Sequence, residues 1–302
     1  MRRVPFSNPL AAQGAEQEAR SGASHHRRHS HAAAIGLLAA AVLLQLAGPA
    51  WAIAGGAALF IAGLPHGAFA GDGAPLIARR GYVPRYLALG MLAATAFILA
   101  PVPILAAFLA LSAWHFLNEG GVGHPLRRAA IAGLSIGGSA LVRAGETGAI
   151  FAALCGAPVP GTLMTVLGAI GIAAYVAAAL SLARKPADIP LWVMTMSPWL
   201  LHPVLATALI FMLGHAGPVT AAIMRRRGWG PPMAIVLAGT SALLAGTAVF
   251  ALPVTADWLP WLAAGALAVI VPHLLPERWL GIASAPKRMA DQSSQSATSP
   301  AT

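Results

Sequence analysis

The feature that most constrains this chain is a series of long apolar runs with very few charges. A helix that spans a bilayer needs about 20 mostly apolar residues, with a range of about 17–25. Such runs occupy residues 33–50, 52–70, 85–100, 102–118, 129–155, 162–183, 190–216, 231–252 and 258–275. None of them alternates with the period of two that is typical of membrane β-strands. The sequence therefore predicts an all-α, polytopic transmembrane helix bundle with about seven to nine membrane segments, some of them short or broken.

Composition supports a membrane protein. Of the 302 residues, 58% are hydrophobic and only 9% are charged, whereas a soluble domain carries about 25% charged residues. The single cysteine, Cys155, excludes an internal disulfide. Residues 1–32 form a basic, histidine-rich tail and residues 281–302 a polar tail, and both are predicted to be disordered. Residues 33–280 then form a single transmembrane helical domain.

The formal net charge of +10 is concentrated in short basic clusters between the apolar runs. Such clusters are typical of cytoplasmic loops, whereas a nucleic-acid-binding protein would need a basic face on a soluble fold. If the N-terminal tail lies in the cytoplasm, successive crossings bring nearly all clusters to the same side. The Arg225 to Arg227 cluster follows if the long 190–216 segment, interrupted at Pro198 and Pro203, crosses twice or re-enters. We expect a multi-pass protein of the inner (plasma) membrane with a cytoplasmic N-terminus.

Four histidines share one unusual setting. His66, His115, His215 and His273 each lie near the C-terminal end of an apolar run that heads toward the cytoplasm, so they are expected at similar depth. Imidazoles from several helices can form a metal site in a bundle core, and they suit zinc, copper, iron and nickel. An all-histidine site holding Fe(II), with positions left open for oxygen, is one interpretation. The alternative is that each histidine hydrogen-bonds a neighbouring helix or lies at the membrane interface.

The residues around His115 suggest further roles, each with a structural alternative. Glu119 and His124 could orient a metal ligand through an outer hydrogen bond, or they could face the cytoplasm. Trp114 and Phe116 flank His115 and could line an apolar substrate path, although aromatic residues near segment ends also form interfacial belts. His202 is interpreted as structural, within a break of the 190–216 segment.

One pair of opposite charges lies inside an apolar run. Arg143 and Glu146 flank a possible break in the 129–155 segment, and they are interpreted as an ion pair.

Four short motifs occur in order along the chain: LPHGAF, WHF followed by an acidic residue, IFMLGHAG and VPHLL. Over about residues 55–280 they resemble the Brp/Blh family of bacterial and archaeal membrane proteins, which are β-carotene 15,15′-dioxygenases. The resemblance implies a multi-helical protein with histidine-bound iron that uses O2 to cleave β-carotene centrally into two molecules of retinal. His66, His115 and His215 match family histidines taken to be ligands, and His273 matches the late Pro-His motif.

The sequence departs from the family pattern at two positions. Ala70 stands where family members commonly carry an acidic residue, and Asp72 follows two residues later. Val219 stands where they commonly carry a second histidine, four residues after the one that matches His215. The resemblance therefore implies a divergent member that cleaves β-carotene or a related carotenoid.

The metal centre then needs no catalytic side chain beside it, because metal and oxygen carry the chemistry. Expected partners are the carotenoid, O2 and the lipid bilayer, with no nucleic acid. The alternatives are a non-catalytic relative that binds carotenoid or assembles with another membrane protein, and a transporter that uses histidines as a proton relay.

Overall fold

The computed structural model describes residues 30–63, 81–119, 124–228 and 256–275. Every regular element in these ranges is helical, which confirms the all-α prediction for this part of the chain. A short 3-10 turn, Ala256–Trp258, precedes the last helix. The helices are α1 (Ser30–Leu46), α2 (Pro49–Gly63), α3 (Tyr82–Leu99), α4 (Pro101–Glu119), α5 (Pro125–Gly133, continued as Ser139–Val142), α6 (Ala144–Cys155), α7 (Gly161–Arg184), α8 (Ile189–Leu200), α9 (Pro203–Phe211, continued as Gly217–Arg227) and α10 (Leu259–Leu274).

Four of the described helices, α3, α4, α7 and α9, are long and apolar enough to cross a membrane. Helices α1, α2, α6 and α10 are apolar but shorter. Large apolar side chains point outward, including Leu92, which is 65% exposed, and Leu99, which is 78% exposed. Lipid tails can cover such a surface, whereas soluble monomers rarely expose large contiguous apolar patches. These features indicate a membrane protein. The predicted total of about seven to nine segments stays a prediction, since segment 231–252 lies outside the described residues.

The long 190–216 segment is divided, as the sequence predicts. Helix α8 ends at Leu200 and α9 begins at Pro203, where a missing N–H costs nothing because the first turn has no partner for it. Pro198, in contrast, lies inside α8 and does not end it. Its missing N–H would leave the Met194 carbonyl without a donor, and the Ser197 hydroxyl donates to that carbonyl at 3.0 Å instead.

The 129–155 segment is broken at Arg143, which separates α5 from α6 with φ −134° and ψ 54°. The Arg143 guanidinium donates to the Glu146 carboxylate at 3.0 Å, so the interpretation of an ion pair is confirmed. It also donates to the carbonyl oxygens of Pro198 and Trp199, at 3.2 Å each. These carbonyls lie in the last turn of α8, where no intrahelical donor is available. Arg143 therefore ties the α5–α6 junction to the end of α8.

Helices α5 and α9 each contain one π-helical turn, in which backbone hydrogen bonds span five residues instead of four. The turn in α5 is Leu134–Gly138, and the turn in α9 is Met212–Ala216. In the first, a Cβ added to Gly137 would lie 2.3 Å from the Leu167 carbonyl oxygen of α7. Only glycine allows this approach, and the first π turn therefore forms part of the α5–α7 packing.

Helices α2 and α9 run in the same direction. A Cβ added to Gly56 would lie 2.9 Å from Val204, and one added to Gly63 would lie 2.3 Å from the Phe211 ring. Position along α2 therefore increases together with position along α9. Helix α2, which precedes His66 in the sequence, is therefore parallel to the helix that carries His215, and His66 itself lies outside the described residues.

Helices α4 and α10 also share a direction. The hydroxyl of Tyr86, near the start of α3, donates to the carbonyl of Val269 in the second half of α10. Leu105, near the start of α4, lies in one apolar cluster with Ala264 and Leu267 of α10, and His115, near the end of α4, contacts His273, near the end of α10. Position along α4 therefore increases together with position along α10, as the sequence predicts for the segments that carry His115 and His273.

One end of the bundle gathers basic residues and is called the basic end. There Arg127 Nε lies 2.7 Å from Asp188 Oδ2, and Arg184 Nη1 lies 3.4 Å from His124 Nε2. These contacts join the start of α5, the end of α7 and the start of α8. Helix α9 returns toward this end after α8. At the opposite end the backbone N–H of His202 donates to the side chain of Gln45 at 2.6 Å.

Candidate metal centre

The centre of the candidate site is a pair of buried histidines from two helices. His115 on α4 and His215 on α9 are 1% and 3% exposed. Their Nε2 atoms lie 3.2 Å apart, and their ring centroids lie 5.0 Å apart with the ring planes at 66°. This separation suits a hydrogen bond in which one ring donates and the other accepts. Two imidazoles, 100 residues apart in the chain, thus converge on one point in the bundle core.

Helix α4 presents His115 inward because its inner stripe carries buried residues at helical spacing. Leu105, Ser112 and His115 are 6%, 4% and 1% exposed, whereas Trp114 and Leu117 on the outer surface are 38% and 41% exposed. Residues three and seven apart lie on one face of an α-helix. The imidazole of His115 therefore points into the bundle core, away from the outer surface of α4.

His215 is presented by the π turn Met212–Ala216 of α9. A π turn changes the angular position of the residues that follow it relative to a regular α-helix, and such turns are frequent at functional sites. Gly214 and Ala216, the neighbours of His215, are also buried. A Cβ on Gly214 would lie 2.4 Å from Ile131 of α5. Close packing against α5 therefore holds the turn and the orientation of His215.

His273 is the third ring of this group. Its centroid lies 5.3 Å from that of His115, with the ring planes at 67°. It lies in the last turn of α10, directly after the buried Pro272. The structure thus brings together three of the four predicted histidines, from α4, α9 and α10. His66, the fourth, lies outside the described residues.

Metal binding by these histidines stays a prediction. Across residues 30–63, 81–119, 124–228 and 256–275, no three His, Cys, Asp or Glu side chains are arranged so that they could hold an ion. Ala70 and the side chain of Glu119 lie outside the described part. Val219, where the family pattern has a histidine, is partly buried one turn after His215 on α9.

Aromatic rings enclose His215. The Phe116 ring centroid lies 5.0 Å from that of His215, and the Phe211 centroid lies 6.0 Å from it. Phe60 of α2 packs in turn on Phe211, with centroids 5.6 Å apart. Phe116 thus lies beside both imidazoles, whereas Trp114 faces outward, and the prediction that these two residues line a substrate path stays a prediction. Phe211 was not identified from sequence, although its spacing of four residues before His215 places both residues on one helix face.

Two other histidines have structural roles as helix caps. His124 is the N-cap of α5, and its Nδ1 accepts the Leu126 N–H at 3.3 Å. Its Nε2 faces Arg184, so both ring nitrogens are engaged at the basic end. His202 is the N-cap of α9, and its Nδ1 accepts the Val204 N–H at 3.4 Å. The structural interpretation of His202 is consistent with this contact.

Burial lowers the pKa of His202, and the nearby Glu146 carboxylate partly offsets that effect. A lowered pKa keeps the imidazole neutral near pH 7. The neutral ring leaves Nδ1 free to accept the backbone N–H that starts α9. The cap and the protonation state of His202 are therefore coupled.

The fold and the buried histidines define a class: an apolar helical protein whose core holds a group of imidazoles contributed by separate helices. No family model matches the chain, and no characterised protein or solved structure is similar enough to be matched with it. Function is therefore inferred from the site and from the motifs themselves.

Proposed function

We propose that this protein is a membrane-embedded non-haem iron oxygenase that cleaves β-carotene, or a related carotenoid, with O2. The cleavage proposed is central, at the 15,15′ double bond, and it yields two molecules of retinal. The observation that carries the proposal is the convergence of His115 and His215, with His273 beside them, inside a lipid-facing helical bundle. His66 is proposed as a further ligand on the resemblance of the LPHGAF motif.

The spacing of the histidine pair fits a shared ion. Two imidazole nitrogens bound at about 2.1 Å, at a tetrahedral or octahedral angle, lie about 3.0 to 3.4 Å apart. The observed Nε2–Nε2 separation of 3.2 Å is within that interval. Neutral nitrogen donors suit ferrous iron. We propose that His66, His115, His215 and His273 hold the iron.

Bound iron supplies the redox chemistry with O2 that no amino-acid side chain can supply. The overall reaction balances without an external reductant: one carbon–carbon double bond breaks, and each carbon receives one oxygen atom of the same O2 molecule. The protein itself provides position and exclusion of water. His115 and His215 orient their nitrogens toward one point, and Phe116 and Phe211 cover that point with apolar surface.

The surroundings of the cluster support the proposed substrate class. The aromatic rings of Phe60, Phe116 and Phe211 form a continuous series beside His215. Such a surface suits a hydrocarbon polyene and has no polar group for a hydrophilic substrate. A carotenoid dissolved in the bilayer could enter sideways between helices and reach the rings without crossing water.

Orientation in the membrane is proposed from the distribution of charge. Arg127, Arg184 and Arg225 lie at the basic end, and the one described arginine at the opposite end, Arg143, is paired with Glu146. Basic loops favour the cytoplasmic side. We infer that the basic end, toward which the histidine-bearing helices run, faces the cytoplasm of a cell with the protein in its plasma membrane.

The proposal is tested by measuring iron and retinal together. Protein purified in detergent is analysed for bound iron and then supplied with β-carotene under oxygen. We expect near-stoichiometric iron and a product with the absorption spectrum and chromatographic mobility of retinal. In His215→Ala, the affinity for iron should fall by more than about 100-fold. Even the loss of a residue that only supports a metal ligand lowers metal affinity by about 10–100-fold. Wild-type protein without iron and without retinal would refute the proposal.

His124→Asn is the matched control. It removes an imidazole at the basic end but keeps a good N-cap residue on α5. Iron content and retinal formation should both remain at the wild-type level. An equal loss in His124→Asn and His215→Ala would show that the assay reports general damage to the bundle.

A second candidate function, a histidine proton relay in a transporter, is favoured by the same 3.2 Å contact, because two imidazoles at hydrogen-bond distance can exchange a proton. Iron content separates the two. A relay predicts metal-free protein that moves protons or a coupled solute in vesicles and loses that transport in His115→Ala.

A non-catalytic carotenoid-binding relative would instead retain carotenoid during purification and produce no retinal.

A further inference from the structure

The first turn of α5 carries two consecutive arginines in different settings. The Nε of Arg127 has an acceptor, because it donates a hydrogen bond to the Asp188 carboxylate at 2.7 Å. The Nε atom of Arg128 is buried, and no group in the described part of the chain accepts a hydrogen bond from it. Burial of an ionised donor without an acceptor is costly, and each such case in a native structure calls for an explanation.

The position of Arg128 on α5 places it on the inward face. Ile131 and Ala132, three and four residues later, are 5% and 2% exposed. Residues at this spacing share one side of a helix. Ile131 packs on Gly214 of α9, so this side of α5 faces the bundle rather than the lipid. Long helical side chains lean toward the helix N-terminus, and Arg128 therefore extends toward the basic end.

Further positive charge lies at the same end of the bundle. Arg184 and Lys185 end α7, and Arg184 Nη1 lies 3.4 Å from Nε2 of His124, the residue that caps α5. Asp188 is the one acidic side chain described at this junction, and it already accepts from Arg127 and from the Leu191 backbone N–H. The junction therefore has more cationic side chains than the one described carboxylate, Asp188, can neutralise.

We propose that the junction of α5 and α7, formed by Arg128, Arg184 and Lys185, binds the phosphate group of an anionic membrane lipid. Three facts support this ligand class. The surplus charge is positive, guanidinium groups match phosphate oxygens geometrically, and the site lies at the end of α7, a helix of membrane-spanning length, where headgroups reside. Basic pockets between membrane helices bind anionic headgroups in this way. In this proposal the phosphate lies against the guanidinium of Arg128, whose Nε has no acceptor in the described part of the chain.

The test compares lipids and variants by native mass spectrometry of full-length protein purified in neutral detergent, with its metal content unaltered. Phosphatidylglycerol is titrated against phosphatidylcholine, and inorganic phosphate is added in a separate series. We expect phosphatidylglycerol to bind at least about 10-fold more tightly than phosphatidylcholine. Arg128→Gln should reduce that affinity by about 10-fold, the effect of one charge-assisted hydrogen bond pair.

Arg85→Gln is the matched control, because it removes an exposed basic charge from the start of α3, which packs on α10 and α4. Its affinity for phosphatidylglycerol should remain at the wild-type level. Arg128→Lys keeps the charge but lacks the planar guanidinium, so it should give an intermediate affinity for phosphatidylglycerol. This variant replaces Arg128→Gln in the test if Arg128→Gln does not fold. Equal binding of the two lipids, equal losses in Arg85→Gln and Arg128→Gln, or competition by inorganic phosphate at equal concentration would each overturn the proposal. Loss of iron or activity has no bearing on this measurement.

Discussion

The two π turns of this bundle use the same backbone geometry for different purposes. The turn Leu134–Gly138 in α5 consists of small and apolar residues, and Gly137 brings the helix into contact with the backbone of α7. The turn Met212–Ala216 in α9 also contains a packed glycine, but beside it stands a buried imidazole, His215. A helical irregularity is therefore not a site by itself. It becomes a candidate site where it turns a functional group toward a second one.

The π turn Leu134–Gly138 is expected to tolerate no side chain at Gly137. In Gly137→Val the new Cβ would lie 2.3 Å from the Leu167 carbonyl oxygen and 2.5 Å from the Gly171 nitrogen, both backbone atoms that cannot rotate away. Overpacking a tight interface costs about 1–3 kcal/mol, and we expect a loss at the upper end of that range in the free energy of unfolding, measured by thermal unfolding in detergent. Gly168→Ala, with no atom within 4 Å of the added Cβ, is the control and should be neutral or slightly stabilising. Equal melting temperatures for Gly137→Val and wild type would contradict the close approach of α5 and α7.

The π turn Met212–Ala216 is expected to affect iron affinity more than the free energy of unfolding. Inserting one alanine between Met212 and Leu213 lengthens the helix by one residue and should rotate His215 by about 100° relative to the residues before it. We expect the variant to remain helical by circular dichroism while iron affinity falls by more than about 100-fold. Retention of iron in this variant would mean that iron binding does not depend on the orientation of His215.

The aromatic cover of the site should affect turnover more than metal binding. Phe116→Ala removes the ring that lies 5.0 Å from His215, so a polyene would be held less accurately over the metal centre. We expect retinal formation to fall by about 10-fold with iron content unchanged. Trp114→Ala, two residues earlier on the outward face, is the control and should retain wild-type turnover. A larger loss in Trp114→Ala would place the substrate on the other side of α4.

The smallest expected effect concerns pH and the break before α9. Burial lowers the pKa of His202 below its unfolded value, so the folded protein binds this proton less readily than the unfolded chain. The stabilising contribution is therefore fully present above the unfolded pKa of about 6.5 and is lost as pH falls through the lower folded pKa. His202→Asn keeps an N-cap without a titrating ring. Its melting temperature should decrease less between pH 7 and pH 5 than that of wild type, and parallel curves for the two proteins would exclude this coupling.

Sequence reasoning located the helices well where apolar runs were uninterrupted. The predicted runs 85–100, 102–118 and 162–183 correspond to Tyr82–Leu99, Pro101–Glu119 and Gly161–Arg184. It was less successful at prolines, because Pro198 remains inside α8 once the Ser197 hydroxyl replaces the missing donor. That compensation depends on the rotamer of Ser197, which a hydropathy pattern cannot predict.

For the site, the order and direction of the segments were enough to group the histidines, but not to orient them. His115, His215 and His273 were predicted at similar depth and are found as neighbouring rings. The sequence did not reveal Phe211 beside His215, or the buried Nε of Arg128. Both observations depend on which face of one helix meets another.

The sequence by itself determined that this chain is helical and apolar, and that several histidines end runs of the same direction. These properties follow from local composition and from the alternation of crossings, which require no knowledge of contacts. Only the tertiary structure decided that His115 and His215 approach to 3.2 Å, that a π turn presents one of them, and that α5 and α7 meet at a junction rich in cationic donors. Those properties depend on helix rotation and close packing, which are set by interactions between residues far apart in the chain.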